Sequence, residues 1–362
     1  MNAIEKLKEH KQEVDKRLSK YFHEKIEHAV KESESIEYID ELSEHIREYN
    51  LRGGKRIRPS FVVEGYRAVG GKDIDSIYDA ALAVETMEGY LLIHDDMMDR
   101  DDLRRGGKTV HAIYREWFKN RFNENEKEAE HFGDTIAICA GDIVETFGTE
   151  LIARSNFPAE LKIKAIQKYN FIARYTGYGQ VLDTIVEELP LEKVTEKHVL
   201  TVHKFKTSLY TITGPLQIGT ILAGGTPEQL NIMEEYGKNL GVAFQIQDDI
   251  LGIYADEKKL GKPVGSDLKE GKRTLLILKA LEKGTPEQQQ KLKSLLKKQD
   301  ITPEEVKEAQ DIIRDTGSLD YSKQLAVQYA NKGIEAIKNT NFEQEGKEYM
   351  LGIADYLINR EF

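Results

Sequence analysis

The sequence predicts an all-α fold, and three observations carry that reading. Proline is scarce, at 8 of 362 residues, or about 2% where roughly 5% is usual. Glycine, at 28, is not short, so the deficit falls on the residue that most disrupts helices. Apolar residues recur at helical spacing along most of the chain, and alternating strand patterns are nearly absent.

Each segment supports the reading in turn. The charged opening stretch, about 1–45, places Ile4, Leu7, Val14 and Leu18 at successive helical turns, which predicts a solvated helix packed on one side. Residues 75–99 form a long apolar run that ends in acids, and 134–155, 160–186, 196–223, 228–255 and 272–283 repeat the helical pattern. Pro158, Pro190, Pro227, Pro286 and Pro303 fall just before or at the start of such segments, where proline is tolerated. Residues 115–133 and 297–312 are crowded with charge and read as surface decoration. The length allows two or three domains, but there is no internal repeat and no Gly/Ser linker. One domain over 1–362 is therefore expected, with 115–133 as a charged insertion.

Composition removes several classes of function. The 63 acids and 52 bases leave a formal net charge of −11, which argues against a nucleic-acid binder and, read naively, against any polyanionic ligand. Cys139 is the only cysteine; it permits no internal disulfide and fits a reducing, cytoplasmic setting. No apolar run reaches the roughly 18 residues that a membrane span needs, and the first residues carry no apolar signal region, so no membrane anchor is expected.

Four motifs carry chemistry. In LLIHDDMMDRDDLRRGG (91–107), Asp95, Asp96 and Asp99 share an arc of about 100° on a helix. Adjacent carboxylates repel unless cations neutralise them, and Mg²⁺ prefers such oxygens and bridges to phosphate. Arg104 and Arg105 follow, suited to bidentate phosphate recognition, before Gly106 and Gly107. A second acidic pair, Asp248 and Asp249 in FQIQDDILG, ends another apolar run with Gln245 one turn earlier. Lys262 and Lys272 follow in glycine-punctuated segments. Two apolar helices ending in aspartate pairs can clamp a metal–phosphate cluster above an apolar cavity, a site for an amphiphile with an anionic head. The loop GGKRIRP (53–59) supplies Lys55, Arg56 and Arg58 for a second anion, and HKFKTSLYTITGP (203–215) supplies Lys206, Thr207 and Tyr210.

Together, and in this order, the motifs resemble those of the trans-isoprenyl diphosphate synthases, the short-chain prenyl elongation enzymes, from about Arg52 to Thr274. The resemblance implies an isoprenoid synthase fold with helices around a deep central cavity, three Mg²⁺ ions per active site and a homodimer. It makes Asp95, Asp99 and Asp248 the metal ligands, with Asp96 and Asp249 completing the two motifs. Arg104, Lys206 and Lys262 would hold the allylic diphosphate, with Lys272 near it. Lys55, Arg58 and Arg105 would hold isopentenyl diphosphate. Thr207 and Gln245 would lie beside the reacting carbon. The implied reaction is ionisation, condensation and elimination, with the proton lost to released diphosphate, so no dedicated protein base is needed. His94 is read as a hydrogen-bond partner.

The chain departs from that pattern in three places. Gly252 stands where the second motif often has a third aspartate, and His111 to Gly141 is about a dozen residues longer than usual in the family. Glu88, seven residues before Asp95, replaces the usual histidine or glutamine that contacts isopentenyl diphosphate. A carboxylate there would repel a diphosphate unless neutralised, so Glu88 is expected to pair with Lys55 or Arg58. Product length should depend on Met87, Tyr90 and Leu91 ahead of the first motif. The family places the residue five before that motif, here Tyr90, at the cavity floor. An aromatic there resembles archaeal-type geranylgeranyl diphosphate synthases, so a twenty-carbon product is expected. A terpene cyclase would not need GGKRIRP or the arginine pair. A longer-chain synthase is opposed only by Tyr90 and its neighbours, and a non-catalytic partner subunit is favoured only by Glu88.

Overall fold

The computed structural model describes residues 2–122, 125–254 and 265–358. The chain opens with α1 (Ala3–Glu32), α2 (Glu37–Leu51), α3 (Ile57–Ala68) and α4 (Ile74–Asp99). A two-strand hairpin, β1 (Leu103–Arg104) and β2 (Gly107–Lys108), precedes α5 (Val110–Arg121), α6 (Glu126–Arg154) and α7 (Ala159–Glu188). Next, α8 (Glu196–Val202) runs into a π-helical segment (His203–Thr213) and α9 (Gly214–Leu222). The remainder is α10 (Pro227–Tyr254), α11 (Ser266–Glu270), α12 (Leu275–Lys283), α13 (Pro286–Leu295), α14 (Pro303–Asp315), α15 (Ser318–Lys338) and α16 (Gln344–Ile358). The hairpin is the only sheet among the described residues.

Local chemistry sets the boundaries. Asn2 and Glu5 form a capping box on α1, and Asp73 caps α4 by accepting from the Ser76 amide; such caps satisfy otherwise orphaned amides. Pro286 and Pro303 open α13 and α14 behind threonine caps, as the proline positions led us to expect. The centre of the molecule is α4, whose residues from Ser76 to Tyr90 are almost all buried, with Ile77, Ala80, Ala83 and Met87 fully so. It packs on α3 and α6, while α10 packs on the π-helical segment and α15. One buried face of α1, carrying Leu7, Val14, Leu18, Tyr21 and Phe22, closes against α2, α3, α4 and α16.

The two charged stretches are more than decoration. Trp117 of α5 stacks on Phe132 of α6, with ring centroids 5.6 Å apart and planes 7° from parallel. Phe118 and Phe122 join the same aromatic knot. The aromatics alternate with charges along the helices, so composition hid them. In 297–312, Ile301, Val306 and Ala309 are buried. Gln310 accepts from the Tyr254 hydroxyl at 2.8 Å and donates to the Ile253 carbonyl at 2.7 Å, anchoring the end of α10.

The π-helical segment has a local cause. Pro215 lies one residue past Gly214 in a helical run continuous from α8 to α9; a proline there lacks an amide and crowds the carbonyl four residues back. Widening the register relieves the crowding, and the Gly214 amide donates to Leu209 five residues back.

Candidate active site

The acidic end of α4 faces the π-helical segment and α7. Lys206 Nζ donates to Asp183 Oδ2 at 2.7 Å and lies 3.5 Å from Asp95 Oδ1. Burial works against its charge, yet Asp95 and Asp183 hold its pKa above the ordinary lysine value. Asp96 is completely buried and turns the other way: it accepts from the Tyr49 hydroxyl at 2.5 Å and from Arg104 Nε at 2.6 Å. The expected shared face thus splits. Asp95 meets the site lysine, and Asp96 anchors Arg104, whose guanidinium also reaches Asp95 at 3.7 Å.

Carboxylates outnumber cations here. Burial, then Asp95, pushes the Asp99 carboxyl up to about 6. Burial, then Asp183, pushes Glu187 up to about 7. Lys272, half-buried, is kept charged against that burial by Asp267 and Glu270, which it pairs with at 3.7 and 2.6 Å.

Across the site, Thr207 Oγ1 donates to Gln245 Oε1 at 2.7 Å, and Gln245 Nε2 donates to Asp249 Oδ1 at 2.8 Å. His203 Nε2 stands 3.0 Å from Asp249 Oδ2, which is buried without a hydrogen bond. Asp248 is half-buried beside it. Close approach makes this array: a Cβ on Gly179 of α7 would strike the Lys206 backbone, and one on Gly241 of α10 would strike the Ser208 side chain.

The donor set fits a hard divalent cation. It consists of carboxylate oxygens, two of them on groups whose pKa burial and neighbouring carboxylates raise, with one buried oxygen lacking a hydrogen bond. Among the described residues no three acidic or imidazole groups cluster to chelate one ion. Mg²⁺ takes one or two carboxylates and completes its shell with water and substrate phosphate.

A second basic cluster lies beside GGKRIRP. Arg58 Nη1 and Arg105 Nη2 approach Glu88 Oε1 at 3.1 and 2.8 Å. Burial would raise the Glu88 pKa, but Arg58 and then Arg105 hold it below the usual value. Lys55 is exposed, with its ammonium 6.0 Å from the Tyr356 ring centre. Of the two bases expected for Glu88, Arg58 pairs with it and Lys55 does not. Arg56 is turned into the core, where it binds Glu85 at 2.6 Å and Asp15 at 2.8 Å.

An apolar cavity of about 190 Å³ opens beside Asp95 and Lys206 between α4 and α7, lined by Tyr90, Leu91 and Met98 with Ala173, Thr176 and Tyr210. Met87 is fully buried in the hydrophobic core and is not part of that lining; the i, i+4, i+8 spacing that aligned it with Asp95 did not account for packing around α4. His94 turns to α6, with Nε2 3.2 Å from the Ile138 carbonyl.

Residues 40–313 match the family described as polyprenyl synthetase. The chain belongs to that family. It is 36% identical to a geranylgeranyl diphosphate synthase of Methanosarcina mazei, covering 93% of this chain and 95% of that one. It is 33% identical to a geranylfarnesyl diphosphate synthase of Aeropyrum pernix, covering 85% and 91%. A crystal structure of geranylgeranyl pyrophosphate synthase from Corynebacterium glutamicum, complexed with isoprenyl diphosphate and magnesium, superposes with a TM-score of 0.90. That structure is 29% identical and covers 98% of this chain and 99% of its own. This polyprenyl synthetase is accordingly an enzyme, a prenyl diphosphate synthase, with the all-helical isoprenoid synthase fold.

Sequence reading of this polyprenyl synthetase missed Asp183, Glu187, His203 and Tyr49. Gln180, Asp183 and Glu187 do recur at helical spacing on α7, a polar stripe that could have been noticed. Lys262 lies outside the described residues.

Proposed function

We propose that this polyprenyl synthetase condenses isopentenyl diphosphate with allylic diphosphates and releases geranylgeranyl diphosphate. The carrying observation is the pairing of two separate cationic sites, Lys206 with Arg104 beside Asp95 and Arg58 with Arg105 beside GGKRIRP, with an apolar cavity opening next to the first. A lone ionisation would need one anion site; joining two diphosphates needs two.

In this reading Asp95, Asp99 and Asp248 hold Mg²⁺, with three ions per site. Mg²⁺ held there would supply charge neutralisation for the departing allylic diphosphate. Arg104, Lys206 and Lys262 orient that diphosphate, Lys272 adds positive charge nearby, and Asp96 fixes Arg104. Asp183 holds Lys206 until substrate arrives. Thr207 and Gln245 present oxygen dipoles to the developing allylic cation, and Asp249 fixes Gln245. Lys55, Arg58 and Arg105 hold isopentenyl diphosphate with its double bond toward the cation. The proton lost after bond formation leaves with the released diphosphate.

Tyr90 and Leu91 line the cavity, which supports a twenty-carbon product. The whole chain is read as one catalytic unit, cytoplasmic in keeping with its single exposed Cys139. Exposed Ile138 and Ile143 on α6, with Tyr178, Val181 and Ile185 on α7, support pairing with a second copy through that apolar surface.

The test is incubation of purified protein with Mg²⁺, isopentenyl diphosphate and each allylic primer, followed by sizing of the products. Twenty-carbon chains are expected. No condensation with any primer would refute the reading; chains of twenty-five carbons or more would refute only the product assignment. Light scattering should give a dimer mass.

A further inference from the structure

Glu88 sits where two guanidiniums are aimed at one point. Arg58 is fixed by the face of Tyr210, 4.3 Å from the ring centre, and by Nη2 donating to Thr211 Oγ1 at 3.2 Å. Arg105 leaves the β1–β2 hairpin from a left-handed backbone (φ 52°) and donates Nη1 to the Gly53 carbonyl at 2.7 Å. Arg58 Nη1 and Arg105 Nη2 meet at Glu88 Oε1, 3.1 and 2.8 Å away. The Glu88 carboxylate is 9% exposed, and its acidic neighbour one turn back, Glu85, is already paired with Arg56 at 2.6 Å.

Such a seat, two planar forks converging on one acceptor, is what a phosphate oxygen needs. We propose that Glu88 is an internal stand-in for the second diphosphate, holding Arg58 and Arg105 in place until isopentenyl diphosphate displaces its carboxylate. The inference rests on the reading of Arg58 and Arg105 as the isopentenyl diphosphate site and adds a competition to it. With Glu88 seated, one of two positive charges is cancelled and the incoming anion meets a like charge. Once Glu88 swings out, both guanidiniums are free. A neutral side chain at position 88 would not compete.

The experiment is steady-state kinetics on Glu88→Gln beside the natural chain, with inorganic diphosphate titrated calorimetrically into both. The expected result is a Michaelis constant for isopentenyl diphosphate lowered on the order of tenfold, and a matching gain in diphosphate affinity. The constant for the allylic primer, bound beside Asp95 and Lys206, should not follow. An isopentenyl diphosphate constant that is unchanged or higher would overturn the proposal and leave Glu88 as a residue that merely orients the arginines. If Glu88→Gln melts early or aggregates, Glu88→His is read by the same two measurements. A natural chain inert with every primer would refute the proposed reaction instead, and the diphosphate titration would then decide the displacement alone.

Discussion

Tyr90 shows how a single side chain carries two readings. An ideal helix turns it about 140° from Asp95, yet it reaches the cavity wall while remaining 8% exposed. Tyr90→Ala should lengthen the product by at least one five-carbon unit, read by chromatography of the dephosphorylated chains; an unchanged product would mean that another residue is the floor. Glu187 makes a prediction about pH. Its carboxyl is raised from 4.5 to about 7 by burial and by Asp183, so the folded chain binds that proton more tightly than the unfolded one. Its contribution is therefore full at low pH and is lost as pH rises from 4.5 to about 7. In chelator, Glu187→Gln should flatten the decline in Tm over that window by about 1–2 °C, a stabilisation of about 1 kcal/mol after allowing for partial solvation. Mg²⁺ should shrink the difference. The residues that contact substrate in the family stood in recognisable motifs. Tyr49 stood in no motif, Asp183 showed only in a polar stripe, and His203 opened HKFKTSLYTITGP without a role of its own, because all three act on those residues through space.

At the scale of elements, the helical reading held for every long segment, since periodicity reports the buried face directly. The π-helical register over His203–Thr213 was not legible: it depends on Pro215 meeting a packed environment that keeps the helix going. Its wide turn is closed in by Gly179 and Gly241, so these glycines control where Lys206 and Thr207 sit. Gly179→Ala should push the Lys206 backbone away from α7 and lower kcat about tenfold to a hundredfold. Stopped-assay kinetics would check it, with circular dichroism showing that the helices persist. The charged stretches at 115–133 and 297–312 keep their charges at the surface while a few apolar residues at helical spacing pack them against the core.

For the molecule as a whole, net charge was a poor guide. The −11 excess is spread over helix surfaces, while the site concentrates both signs. The first helix is joined to α3 by one buried acid: Glu64 of α3 lies 2.8 Å from His10, 3.4 Å from Lys6 and 3.3 Å from Arg67, and is wholly buried. Removing one partner from a buried ionic cluster strands the others. Glu64→Ala should cost about 3–5 kcal/mol and lower Tm by about 4–7 °C, whereas Glu345→Ala, at a carboxylate 63% exposed, should cost under about 1 kcal/mol. Differential scanning calorimetry would separate the two.

Trp117 is the only tryptophan in the chain, and it is stacked on Phe132, lies under the Arg121 guanidinium and donates to Glu41 of α2 at 2.9 Å. Its emission is therefore a built-in optical reporter of one joint, the seating of α2 on the α5–α6 pair. A red shift during titration with denaturant would time the opening of that joint. Its lag or lead against ellipticity at 222 nm would reveal whether the outer helices of this polyprenyl synthetase come apart before its centre does.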